Sequence, residues 1–178
     1  RGMGPAKATR LKAIHELSVR ETEAQLKCSQ SFGEPAAVAT FLRKRLGHRG
    51  HEAFGCLFLN AKNEHIAFEI LFRGSTDRTR VHAREVLKRG LELNAAALLV
   101  CQNHPSGNAE LIQTDIGSTR LLFDLLEQVE ILLLDHVGDE WGDEAQARVE
   151  RAKSHAAATA AAAAPGGPPG GGGGGGGG

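Results

Sequence analysis

Ala95 to Cys101 is an uninterrupted apolar run of strand length, and it constrains the fold more than any other feature of the chain. A strand without polar residues on either face needs both faces covered, so this segment belongs in the middle of a layered sheet. Two more apolar runs, Ala53–Leu59 and Ile131–Val137, have the same character. His65–Phe72 follows the first of them after the turn residues Asn60-Ala61-Lys62-Asn63, which predicts a hairpin. Helical spacing marks Ala36–Leu46 (Val38, Phe41, Leu42, Leu46), Arg84–Leu93 (Val86, Leu87, Leu91, Leu93) and Asp115–Val129 (Ile116, Leu121, Leu122, Leu125, Leu126). The order is helix, hairpin, helix, strand, helix, strand. That pattern predicts an α/β fold in which helices sandwich a mixed β-sheet, and it excludes a doubly wound repeat.

Both ends differ from this body. The first thirty residues read as a short helical segment entered through Gly2-Met3-Gly4-Pro5, with Leu11, Ile14, Leu17 and Val19 as its apolar stripe. They carry six Lys or Arg against three Glu. From Asp143 the pattern fades: Asp143–His155 is charged and could be helical, Ala and then Pro and Gly follow, and residues 143–178 as a whole are expected to be a disordered low-complexity tail. Eleven of the 23 Gly lie in that tail, which makes the body less loop-rich than the total suggests. The chain balances 21 Lys and Arg against 21 Asp and Glu, which excludes a uniformly basic nucleic-acid coat but leaves room for a local basic patch. No stretch approaches the roughly 20 apolar residues that span a bilayer, so no membrane association is expected. Cys28, Cys56 and Cys101 form no CxxC pair, the usage of a reducing compartment, and a cytoplasmic location is expected.

Chemistry-bearing residues gather at strand ends. Glu52 precedes the first apolar run, Gln102-Asn103-His104-Pro105-Ser106-Gly107 follows the central one, and Asp115 opens the next helix. A strand-end His and a helix-start Asp joined by one loop can meet at a metal, with a nearby carboxylate taking a proton from metal-bound water. The same residues also fit plain turn chemistry, with Pro105 and Gly107 fixing the loop and His104 bonded to backbone. Asp135-His136 reads as a strand-end turn with polar groups facing solvent.

Phe54-Gly55-Cys56-Leu57-Phe58-Leu59, Phe72-Arg73-Gly74-Ser75, Val81-His82-Ala83-Arg84-Glu85-Val86, Asn94 to Val100 and Asn103-His104-Pro105-Ser106-Gly107 occur in one order that closely resembles the RadC family of bacterial proteins. The likeness spans about residues 1 to 140. It implies a JAB/MPN (JAMM) metalloprotease-like domain over 35–142, with cytidine-deaminase-like layering, zinc as cofactor and a peptide or isopeptide substrate. Over 1–30 it implies part of a helix-hairpin-helix module, in which Gly2, Gly4 and Lys7 would approach the phosphates of duplex DNA.

Carried over residue by residue, the resemblance makes Glu52 the general base, His104 a zinc-binding His and Asp115 the zinc-binding Asp. Two positions depart from the pattern. Gln102 stands where the first zinc-binding His belongs, and Ile112 where a Ser assists at the oxyanion. A neutral carboxamide is a poor zinc donor beside imidazole, and Ile has no hydrogen to donate. With these two departures, the resemblance implies a hydrolase-type domain with a degenerate metal site; the alternative is a catalytically inactive binding module associated with DNA.

Overall fold

The computed structural model describes residues 3–28, 35–74, 83–103, 105, 113–138 and 143–162; at 28, 113–116, 143–145 and 160 it describes the backbone alone. The elements in chain order are α1 (Pro5–Cys28), α2 (Pro35–Leu46), β1 (Ala53–Leu59), β2 (His65–Arg73), α3 (Ala83–Glu92), β3 (Ala97–Asn103), α4 (Gln113–Glu127), β4 (Leu132–Val137) and α5 (Asp143–Ala162). The strands form one sheet in the order β2-β1-β3-β4. β1 is antiparallel to both β2 and β3, while β4 lies parallel to β3.

The two middle strands are buried along their whole length. Their side chains alternate between two cores, as the twofold period of a strand requires. Ala53, Leu57, Leu59, Ala97, Leu99 and Cys101 face the first core, completed by α1, α2 and α5. Phe54, Cys56, Phe58, Leu98 and Val100 face the second, completed by α3 and α4. The mixed sheet with helices on both faces is the expected fold.

Turn chemistry sets the connections. In the β1–β2 turn, Asn63 has φ 58° and the Asn60 carboxamide oxygen accepts from Lys62 N and Glu64 N, each at 2.9 Å. α3 and α4 end in left-handed residues, Asn94 and Glu130. Ala95 N donates to Gly90 O at 2.9 Å and Ile131 N to Leu126 O at 3.0 Å, the closing bond that such a helix cap supplies.

Three expectations are corrected. First, α1 does not bury its predicted stripe: Leu11, Ile14 and Leu17 are more than half exposed. The buried face is Val19, Thr22 and Leu26, because α1 meets α2 only through its C-terminal half. Lys44 Nζ reaches Thr22 Oγ1 at 2.9 Å and His48 lies edge-on to His15, so the two helices run antiparallel. The residues of α1 before His15 therefore overhang the C-terminal end of α2. Second, the expected disorder does not hold over Asp143–Ala162, which is helical. Its Val149, Ala152 and Ala156 recur at i, i+3 and i+7 and are buried against α2 and β4. Small residues make a narrow apolar stripe that hydropathy alone understates. Residues 163–178 lie outside the described residues. Third, β3 runs on through Gln102 and Asn103, which the polar character of the segment had assigned to the following loop.

Candidate metal and acid–base site

Antiparallel pairing of β1 with β3 brings the start of one strand to the end of the other: Ala53 pairs with Asn103 and Phe54 with Gln102. Glu52, just before β1, thereby arrives beside the segment that leads to His104. Asn103 makes this junction rigid. Its side chain is 3% exposed, its Oδ1 accepts from Ala53 N at 2.9 Å, and its Nδ2 donates to His51 O at 3.3 Å and Arg49 O at 3.4 Å. On the other side, Gly74 N donates to Glu52 O at 2.9 Å, tying the end of β2 to the same residue. The half-buried Glu52 is thus held by backbone bonds on both flanks, which fixes where a proton acceptor at this position would sit.

Gln102 is 2% exposed and lies on the face of β3 shared with Leu98 and Val100, toward α3 and α4. Asp115 falls in the first turn of α4, and its side chain is not among the described ones. His104, Ile112 and Gly2 lie outside the described residues. Gly4 caps the start of α1, where its carbonyl accepts from Lys7 N and Ala8 N at 3.1 Å, and Lys7 is exposed. Of the helix-hairpin-helix segment expected over 1–30, the described residues contain the single helix α1.

Two neighbours were not assigned to the site from sequence. Asn103 is one; its signal was a polar residue directly continuing an apolar strand. His136 is the other, expected to face solvent but 5% exposed. Its Nδ1 lies 2.6 Å from Thr119 Oγ1 on α4, and its ring meets Phe54 edge-on at 5.8 Å. Thr119 is one turn along α4 from Asp115, on the same side of the helix. The His136–Thr119 bond therefore anchors α4 over the sheet close to the turn that carries Asp115. Behind it, Arg148 of α5 donates to His136 O at 3.1 Å and lies 3.5 Å from Asp135 Oδ1, joining the end of β4 to α5. Arg84 and Glu85 at the start of α3 form an ion pair at 3.7 Å, the first side chain largely exposed and the second about half.

The donors implied for zinc comprise one imidazole, one carboxylate and one neutral carboxamide. That set does not fit a firmly held zinc, whose protein ligands are imidazole, thiolate or carboxylate. The misfit lies at a buried strand position, Gln102, where local rearrangement is restricted by the ladder. Among the described residues no group of three or more His, Cys, Asp or Glu is placed to hold a metal ion. Among them, too, no helix is long and apolar enough to cross a membrane.

Comparison with known proteins places this architecture. The family model described as the RadC-like JAB domain matches residues 32–138. A UPF0758 protein of Azotobacter vinelandii is 48% identical over 140 residues, covering 78% of this chain and 62% of that relative. UPF0758 protein Pfl01_5539 of Pseudomonas fluorescens is 46% identical over the same coverage. The chain thus spans about three-fifths of the length of the curated relatives it matches. With the matched segment running from before α2 to the end of β4, the whole sheet and its covering helices α2, α3 and α4 included, this chain belongs to the RadC-like JAB domain family.

Proposed function

We propose that this chain is a metallopeptidase-type JAB protein with a degenerate metal site, one that binds a peptide or isopeptide segment beside Glu52 and hydrolyses it poorly. The observation that carries the reading is Gln102: a carboxamide, 2% exposed and locked opposite Phe54, at the position where the family pattern puts a metal-binding imidazole. On this reading Glu52 moves the proton, and His104 and Asp115 are the remaining metal donors. Loss of an outer-shell partner alone weakens metal binding about 10–100-fold, and loss of a direct ligand costs more. Ile112 removes a further hydrogen-bond donor, of a kind typically worth about 10²-fold or more in rate.

Bound zinc per chain, measured on the full chain and on Gln102→His after dialysis against micromolar zinc, tests this. The expected result is well under one zinc in the unmodified chain and close to one in Gln102→His. Near-stoichiometric zinc in the unmodified chain overturns the degenerate site, and no gain in Gln102→His overturns the metallopeptidase-type donor set.

A second reading, contact of residues 1–30 with duplex DNA, is favoured by one observation: Lys7, Arg10 and Lys12 are all exposed on the overhanging half of α1. The amide of Lys7 is already used by Gly4, so Lys7 offers a phosphate its ammonium group. Retention on duplex DNA that falls steeply with salt, and falls again in Lys7→Glu, is the expected result; no retention at low salt ends the reading.

A further inference from the structure

The end of the sheet that carries Glu52 also carries guanidinium groups without a carboxylate partner among the described residues. Arg73 is the last residue of β2, exposed, and the register partner of Ala53. Arg49 is half-buried in the segment that Asn103 clamps, with its Nε donating to Arg45 O at 2.9 Å. Among the described residues, neither Arg49 nor Arg73 has a carboxylate within the 4.0 Å of an ion pair. Arg45 beside them reaches Glu23 at 3.4 Å, a carboxylate already held by Lys27 at 3.1 Å. Burial holds the Arg49 guanidinium below its ordinary value, and the Arg73 and Arg45 charges push the same way. Like charges on rigid elements, one of them half-buried, work against folding. Such local conflicts with the rest of a fold collect where a ligand resolves them.

The position of the pair says what that ligand is. β2 is an edge strand, pairing among the described strands with β1 alone. Its outer edge presents backbone groups of the kind an extended polypeptide can pair with. A polypeptide running along that edge reaches Arg73 at the strand's end, with Arg49 and Glu52 next to it. A duplex makes no such use of a strand edge, and its phosphates call for a row of cations rather than a pair at one strand end.

We propose that Arg49 and Arg73 form a clamp for a carboxylate of an acidic polypeptide, at the Glu52 end of β2 and on the sheet face opposite Gln102. The clamp deepens the reading in which a peptide passes beside Glu52, whose carbonyl is tied to the end of β2, and rests on it. Guanidinium forks suit the planar carboxylate and give orientation as well as attraction.

The test is fluorescence anisotropy of the full chain with three labelled probes: a capped glutamate-rich peptide, its glutamine counterpart and a short DNA duplex. The expected result is binding of the glutamate peptide over the glutamine one, weakened about tenfold by Arg49→Gln or Arg73→Gln. Arg73→Lys should recover part of the binding because charge is kept and the fork is lost. Arg43→Gln, an exposed arginine on α2, should leave it unchanged. Circular dichroism confirms that the variants are folded. Three outcomes overturn the clamp: no binding of the glutamate peptide, equal binding by the double variant, or Arg49- and Arg73-dependent binding of the duplex alone. Zinc uptake by Gln102→His does not involve either arginine, so failure of the clamp and failure of the metal-site reading are seen separately.

Discussion

The carboxamide of Asn103 accepts the amide hydrogen of Ala53 at 2.9 Å, across the very strand pair in which the two residues are register partners. A side chain here takes over the role of a ladder bond where the backbone ladder of β1 and β3 runs out. Through its other end it holds the carbonyls of Arg49 and His51, so one buried side chain sets the course of the chain into Glu52.

Asn103→Ala should therefore lose about 1–3 kcal/mol, the cost of leaving buried partners without their bonds. Urea denaturation, with the slope unchanged and the midpoint lowered, is the measurement. A loss within about 0.3 kcal/mol would mean that the loop before β1 is held by other contacts.

Gly55→Ala should destabilise for a different reason. A Cβ at Gly55 would come 2.7 Å from Phe68 Cζ and 3.3 Å from Cys101 Sγ. The Phe68 ring is pinned edge-on against Phe41 at 5.1 Å and cannot simply swing away. Overpacking of this kind costs about 1–3 kcal/mol, read as a fall in the thermal midpoint.

Glu69 and Arg89 join β2 to α3 through two short bonds, 2.6 and 2.7 Å. Hydrogen bonding by Arg89 holds the Glu69 carboxyl below its ordinary 4.5. The native state then binds this proton less readily than the unfolded chain. The contribution is present above pH 4.5 and is lost as pH falls through the depressed native value. Thermal midpoints measured from about pH 7 to about pH 3 should fall less steeply in Arg89→Met than in the unmodified chain. Because both side chains are partly exposed, the difference should shrink in high salt.

Cys56 and Cys101 are fully buried, and burial pushes both thiols upward, away from the reactive thiolate. In a Cys28→Ser background, a thiol reagent should label neither in the native state and both in denaturant. Fast native labelling of either would contradict the closed cores on the two faces of β1 and β3.

α5 should be needed for stability. Val149 is wholly buried between α2 and β4, and Val149→Ala should cost about 1–2 kcal/mol. Ending the chain after Gly142 removes Val149, Ala152 and Ala156 together and should lower the thermal midpoint well beyond that single substitution.

The sequence by itself determined the layers. Runs without polar residues at 53–59 and near 95–101 become strands covered on both faces, and Val38, Phe41, Leu42 and Leu46 become one buried helix face, because removal of apolar surface from water is a local property of each side chain. It also put Glu52 directly before the first of these strands, but left Gln102, a strand residue, to the following loop. What the tertiary structure alone decided is which polar and weakly apolar groups go inside. Asn103 and His136 are buried because specific partners, Ala53 and Thr119, satisfy their hydrogen bonds. Ala152 and Ala156 are buried because α2 and β4 leave a groove for a slim helix, whereas Leu11 and Ile14 stay exposed because α2 ends before reaching them, and Leu17 because it lies on the side of α1 turned away from the buried Val19. Partner geometry between distant segments, rather than any residue's own hydropathy, settles such positions, and the candidate site is built from them.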